Sequence, residues 1–306
     1  MPTLQQLRYL VAVADTLHFR RAAERCNVTQ PTLSGQIREL EERLGTQLIE
    51  RSRSKVILTP IGIEVTARAR SILKDMLGLI DLAKYDKNIL GGTIKVGILH
   101  SLGPYLLPHI LPTLHQSHPA LKLYVREGMP QTLLHQLEEG RLDLLIFPLP
   151  VVGSDILTVK LFREPLWIVA PREHPLGQRE KVERSNLKGQ TVLALEKGHR
   201  LHDQVKNLCE QFGAELSLDF DGTSLDTLRQ MVGLGMGISF LPWFYIDAQV
   251  MNDKEVIARE MKHRAPYRTI GMVWRKHSAR RNDFTELARI FRETLRADVP
   301  QVMVLD

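Results

Sequence analysis

Cysteine is scarce. Cys26 and Cys209 are the only two in 306 residues, which excludes a disulfide scaffold and fits a reducing, cytoplasmic setting. No uninterrupted apolar run approaches the roughly 18–20 residues of a membrane span. The opening MPTLQQLRYL lacks the basic start and apolar stretch of a signal peptide. Internal repeats and low-complexity tracts are missing, as are a G-x-S-x-G elbow, an H-E-x-x-H pair and a G-x-x-x-x-G-K-S/T loop. No signature of hydrolytic, zinc-protease or nucleotide chemistry is left. What is present is an ordinary globular composition, 43% hydrophobic and 25% charged, in a chain long enough for two domains. The net charge of +6 permits nucleic acid without requiring it.

That charge is unevenly spread. Residues 1–60 hold nine Lys/Arg against six acids, a surplus of three that is half the chain's total. Strand-type segments are almost absent before residue 90. After it, 93–99, 122–128, 142–147, 166–171, 191–196, 238–242 and 269–274 read as strands separated by helix-length segments. This alternation predicts parallel sheet in an α/β domain. Gly91-Gly92 marks the changeover.

In the first part, Leu4, Leu7, Leu10, Val11, Ala14 and Leu17 form one helical stripe. Phe19 and Ala22-Ala23 open a second, shorter helix that stops at Cys26-Asn27. Thr29 is placed to cap a third, with Pro31 in its first turn, a buried stripe of Leu33, Ile37, Leu40 and Leu44, and a stop at Gly45. The opposite face is small, polar and basic at its leading end (Gln30, Pro31, Thr32, Ser34, Gly35, Gln36, Arg38) and acidic further on, at Glu39 and Glu42. Such a face suits a helix entering a major groove N-terminus first, with Gln30, Gln36 and Arg38 able to bond base edges or phosphates. The plain alternative is an amphipathic helix with a solvated side.

The run QLIERSRSKVILTP reads as two short strands around a basic tip of Arg51, Arg53 and Lys55. That is the wing of a winged helix-turn-helix, placed to touch phosphates, or else a solvated hairpin. From Pro60 a helical stretch runs to about Asn88. Within it Val65, Ala69, Ile72, Met76, Leu79 and Ala83 recur at heptad spacing, widened by Leu73, Leu77 and Ile80. Beside a DNA-binding head, the seam predicts a two-chain coil whose heads read half-sites about one helical turn, roughly 34 Å, apart. The alternative packs this helix on its own head.

Phe19, Ala22, Ala23, Gln30-Pro31, Ser34, Ile37, Leu40-Glu41, Leu44-Gly45, Arg51 and Leu58-Thr59-Pro60-Ile61-Gly62 stand in the order and spacing of one family's DNA-binding head. In these residues the chain resembles the LysR-type transcriptional regulators. The resemblance implies an all-α winged helix-turn-helix over 1–60, a linker and dimerisation helix over 61–90, and an effector-binding region over 91–306. That region would hold two periplasmic-binding-protein-like α/β subdomains, the first of 91–162 with 267–306 and the second of 163–266, joined by two crossing strands near 157–166 and 262–272 with a cleft between them. As partners the resemblance implies double-stranded promoter DNA, a homodimer through the linker helix that assembles into a homotetramer, and a small-molecule effector. It leaves RNA polymerase as a candidate partner and implies no cofactor and no metal.

LGPYLLPHILPTLH, GHRLHDQVKNLC and SLDTLRQMVGLGMGISFLP further resemble the peroxide-sensing branch of that family. The branch pattern has a peroxidatic cysteine directly after the histidine of the GH pair. Here Arg200 stands in that place, after Gly198-His199. Cys209 occupies the resolving position, Pro130 replaces a threonine of the peroxide pocket, Ser101 keeps another hydroxyl position and Asp203 matches. Thiol sensing needs a thiolate to attack the O–O bond and a second thiol to trap the sulfenic acid. With Arg200 the nucleophile is missing, so a two-cysteine switch within one chain is not expected. Cys209, in the apolar series Leu201, Val205, Leu208 and Phe212, reads as buried filler or as a lone redox-active thiol; Cys26 reads as packed and inert.

Open α/β sheets bind ligands at the carboxyl ends of strands, where helix N-termini offer N–H groups to anions. His100 and Ser101 precede one such helix and Thr223 and Ser224 another, with N-capping as the plain alternative for Ser101 and for the Thr223-Ser224 pair. His199, Arg200, His202 and Asp203 open a third. They are too few for a metal set and suit a carboxylate or phosphate through Arg200, or a solvated helix start. Pro104, Pro108 and Pro112 predict a broken or kinked helix. Among regulator, enzyme and passive architectural DNA binder, the expected function is a sequence-specific regulator with an effector-responsive domain. Its trigger is tied to oxidative stress or, alternatively, to a small anionic metabolite.

Overall fold

The computed structural model describes residues 1–51, 56–83, 90–218, 222–263 and 265–306, with backbone only for Arg51 and 78–83. The chain divides into two compact units, Met1–Lys84 and Tyr85–Asp306.

In the first unit, α1 (Leu4–Thr16) starts on a capping box. The Thr3 hydroxyl accepts the Gln6 N–H while the Gln6 side chain accepts the Thr3 N–H. α2 (Phe19–Arg25) gives way to Asn27 at φ 54°, a left-handed position that a short polar side chain tolerates. α3 (Gln30–Leu44) is capped by Thr29, carries its proline in the first turn and ends on Gly45 at φ 68°. Leu33, Ile37 and Leu40 are fully buried beside Leu10, Val13 and Ala22. Leu44, expected in the same stripe, is exposed because the helix ends there.

β1 (Ile49–Arg51) and β2 (Val56–Leu58) pair antiparallel as the base of the wing. The Glu41 carboxylate accepts the N–H groups of Leu48 and Ile49, at 2.9 and 3.0 Å, and fixes the strand's entry. The Thr59 hydroxyl donates to the Gln47 carbonyl at 2.9 Å and accepts the Gly62 N–H at 3.0 Å. A Cβ at Gly62 would stand 2.0 Å from the Leu48 carbonyl oxygen, so the turn admits only glycine.

α4 (Pro60–Ala83) follows. Ala69 is buried, and Val65 and Leu73 pack on the head core. Arg70 and, from α2, Arg25 both bond Asp15, at 2.5 and 3.0 Å. The heptad series therefore splits: Val65 and Ala69 serve the head of their own chain, while Ile72 and Met76 are 42% and 38% exposed. The side chains of Leu79 and Ala83, and residues 84–89 of the predicted helix, lie outside the described residues.

The second unit runs β3 (Gly92–Leu99), α5 (Gly103–Ser117), β4 (Leu121–Gly128), α6 (Pro130–Glu138), β5 (Leu144–Leu149), β6 (Ile156–Pro171), β7 (Lys181–Val182), β8 (Thr191–Leu193), α7 (Arg200–Phe212), β9 (Glu215–Leu216), α8 (Leu225–Gly233), β10 (Ile238–Pro242), α9 (Trp243–Gln249), β11 (Val256–Met261), β12 (Tyr267–Arg275), α10 (Arg281–Asp298) and β13 (Met303–Val304). β4, β3 and β5 are parallel, as are β10, β8 and β9. β12 runs antiparallel to β5 and to the first part of β6, and β10 and β11 run antiparallel to its last part. The sheet is mixed, which corrects the parallel expectation: β6 crosses from one half of the unit to the other, and β12 returns beside it.

α5 narrows a second expectation: it is not broken. It is one helix with Pro108 and Pro112 inside it. The amide bonds these prolines omit would have reached residues 104 and 108, and all three prolines lie on the exposed side, where water can solvate the orphaned carbonyls.

Candidate nucleic-acid interface and effector site

At the leading end of α3, Thr29, Gln30, Pro31, Thr32 and Arg38 are exposed, and Ser34 and Gln36 are half-buried. The Thr29 and Thr32 hydroxyls lie 2.8 Å apart, and Thr29 also accepts the Thr32 N–H, so both residues organise the helix start. The Gln36 amide donates to Glu39 at 3.0 Å, and Glu39 also holds Arg43. This bond leaves the Gln36 amide oxygen and its second N–H for another partner. No atom lies within 4 Å of where a Cβ on Gly35 would stand, so this surface is open to close approach. Arg53 and Lys55, with the side chain of Arg51, lie outside the described residues.

In the second unit, the loop after β3 is held from beneath. Ser101 is buried; its hydroxyl accepts one Arg268 N–H at 3.1 Å and its carbonyl accepts another at 2.9 Å. The Arg268 Nε donates to Glu164 at 2.6 Å, and the second Glu164 oxygen accepts the Phe244 N–H at 3.0 Å. Both charges are buried, with side-chain exposures of 3% and 0%. Leu102, not Ser101, is the N-cap of α5, and it makes no side-chain bond. The capping alternative therefore fails for Ser101. Sequence reasoning missed Arg268 and Glu164, which lie 104 residues apart in the chain.

His199 and Arg200 form the start of α7. His199 is buried, 3.7 Å from the Glu196 carboxylate. Burial holds its pKa below the ordinary imidazole range, against the pull of Glu196 and with the nearby His100 adding to the effect, so it is neutral at pH 7. Arg200 is exposed, and its guanidinium stands 5.9 Å from the ring centre of Phe147 on β5. Met129 reaches to within 3.4 Å of the Cβ position of Gly198, itself at φ 99°. Gly198 and Arg200 thus meet Met129 and Phe147 of the other half, and His100, also from that half, lies near His199. His202 is turned away, buried, with Nδ1 2.6 Å from the Leu195 carbonyl. Asp203 and Thr223 are exposed, and no hydrogen bond joins either to Arg200 among the described residues. Ser224 caps α8 by accepting the Thr227 N–H at 3.2 Å, the plain alternative for that residue. Two surface grooves of about 360 and 290 Å³, around Tyr124 and Arg126 and around Trp167 and Arg259, contain none of these residues.

Cys209 lies in α7 at 2% exposure, and burial pushes its thiol pKa from 9.0 up to about 11. Below pH 9 its thiolate is about a hundredfold scarcer than that of an ordinary cysteine. Alkylation of the native chain by iodoacetamide at pH 7.5, read by mass spectrometry, should be slower at Cys209 than at an exposed thiol by at least about that factor, since burial also restricts access. The rate should rise about tenfold per pH unit toward pH 11 while the fold holds; equal rates at the two thiols would contradict this. Cys26 is half-buried against the head core, and burial raises its pKa as well.

Both units match described families. Residues 4–63 match the bacterial regulatory helix-turn-helix protein, lysR family, and residues 87–296 match the LysR substrate binding domain. The DNA-binding transcriptional dual regulator OxyR of Escherichia coli K12 is 40% identical over 300 residues, 98% of each chain. Among solved structures, full-length OxyR of Pseudomonas aeruginosa carrying a cysteine-to-aspartate change is 37% identical with a TM-score of 0.71, covering 95% of this chain and 94% of that one. A hydrogen peroxide-bound cysteine mutant of Corynebacterium glutamicum OxyR is 31% identical with a TM-score of 0.65, covering 97% and 93%. With a DNA-reading head and a regulatory domain both matched along nearly the whole chain, this protein belongs to the LysR family of DNA-binding transcriptional regulators, and within it is OxyR-like.

Proposed function

We propose that this LysR-type regulator binds symmetric promoter DNA as a dimer joined along α4, and that its signal is a small anion received at Arg200, without thiol oxidation. Thr29, Gln30, Pro31, Thr32, Ser34, Gln36 and Arg38 form the DNA-reading surface, with Arg51, Arg53 and Lys55 on the wing. Residues 1–60, 61–90 and 91–306 act as head, linker and sensor. Relatives named hydrogen peroxide-inducible genes activators, such as that of Dickeya chrysanthemi, support targets among oxidative-stress genes. Family likeness supports pairing of dimers into tetramers, contact with RNA polymerase and a cytoplasmic setting.

One observation carries the effector reading. An exposed guanidinium opens α7 beside a neutral buried histidine, where the family's peroxide sensors carry their attacking thiol. The helix start adds its own N–H groups and positive dipole end, so the place favours a carboxylate or phosphate. The test is a footprint of the full chain on duplexes selected from a random pool, with hydrogen peroxide, inorganic phosphate or malonate added. An anion should alter the footprint of the wild type and leave that of Arg200→Ala unchanged. A peroxide response abolished by Cys209→Ser would overturn the reading in favour of thiol sensing.

A further inference from the structure

Two helices that carry candidate effector loops are tied to each other at a point the sensor reading does not use. Tyr105 lies on α5, four residues past Ser101; Asp226 lies on α8, two residues past Ser224. The Tyr105 hydroxyl donates to one oxygen of Asp226 at 3.4 Å, and Tyr245 of α9 donates to the other at 3.1 Å. The two phenol rings meet edge to face with centres 5.0 Å apart. Arg229, paired with Asp253, lies near the Tyr245 oxygen.

The elements differ in how firmly each is set. Tyr245 is fully buried, and its neighbour Phe244 is pinned by its amide to Glu164. One turn along α5 from Tyr105, His109 packs on Phe244 with ring centres 5.3 Å apart. That contact is a buried pivot. Tyr105 is only half-buried and Asp226 is exposed, so water competes for this bond whenever the two helices part. Burial and the neighbouring carboxylate push the Tyr105 pKa up to about 12, so at neutral pH the phenol keeps the proton it donates.

We infer that Tyr105, Asp226 and Tyr245 form a latch between α5 and α8, which sets how far the His100–Ser101 and Thr223–Ser224 loops stand apart and so regulates the proposed effector site. Tyr105 and Tyr245 are positioning residues. A ligand that favours the closed or the open arrangement shifts the balance only by its difference in affinity for the two. The latch deepens the effector reading and rests on it for its regulatory meaning.

Hydrogen exchange on the full chain, read by mass spectrometry without DNA or added anion, tests it. Tyr105→Phe keeps the ring and removes one hydroxyl. It should speed exchange about threefold to tenfold in peptides covering 222–233, on a helix that does not contain the change. Tyr245→Phe, which keeps the ring that meets Tyr105 and loses only the bond to Asp226, should do the same in peptides covering 222–233. If Tyr245→Phe fails to fold, Tyr105→Phe carries the test alone. Faster exchange confined to the substituted helix, or no change anywhere, overturns the latch. Such a result leaves the anion reading standing, because no anion is present; loss of that reading would show only in the Arg200 footprints.

Discussion

Ile72→Glu combined with Met76→Glu should turn the full chain into a monomer and cut its affinity for a paired half-site duplex by about 10²–10⁴-fold. Both side chains are apolar, neighbouring and exposed on the single chain, whereas the positions before them in the same series are consumed by the head. Joining two copies along α4 would bury them, at about 2 kcal/mol per side chain. Glutamates there would instead face their own copies across the seam. Because neither residue belongs to the head core, melting of the head should change little. Binding to a single half-site should also stay near its original value. Sedimentation gives the mass and gel shift the two affinities; a variant that stays dimeric would place the joint elsewhere.

The second large effect is expected at Arg268. Its replacement by Ala leaves the Glu164 carboxylate at 0% exposure without its cation and frees the Ser101 loop from two hydrogen bonds. Removing one partner of a buried pair costs about 3–5 kcal/mol. For a domain of this size, that is a fall in the regulatory domain's melting temperature on the order of 10 °C. Replacing both partners together, Glu164→Gln with Arg268→Met, should recover part of the loss, since no charge is then stranded. Calorimetry distinguishes these cases. An Arg268→Ala variant as stable as the wild type would mean that the pair holds nothing.

The same pair shows where sequence reading stops. Glu164 and Arg268 look like surface charges in FREP and APYRT, and nothing local says that they meet beneath Ser101. The first part of β6 does not stand out in the apolar pattern for the same reason, since Lys160, Arg163 and Glu164 interrupt it, and only the family resemblance puts a crossing strand near 157–166. Strand direction was not readable either. Period-2 patterning marks which side chains are buried but not which way a neighbour runs, so the antiparallel crossing of β12 on β6 had to come from the coordinates or from family likeness. The head was far more legible, because its determinants are local: Thr29 as cap, Gly45 as stop, a 3.6-residue stripe through Leu33, Ile37 and Leu40. The linker helix fell between these cases. Its heptads are plain in the sequence, but periodicity does not distinguish a residue packed on its own head from one facing a second copy. For the sensor, the departure at Arg200 was plain from sequence, whereas its approach to Phe147 was not.

The most direct test is equilibrium binding of the full chain to a duplex bearing two symmetric half-sites one helical turn apart, taken from selected sequences, against a scrambled duplex of equal length. Binding as a dimer through α3 predicts two copies per duplex and a preference of at least about a hundredfold, with Arg38→Ala weakening binding and shrinking the salt dependence of log K by about 0.9 if it meets a phosphate. One copy per duplex, or equal affinity for symmetric and scrambled DNA, would contradict it.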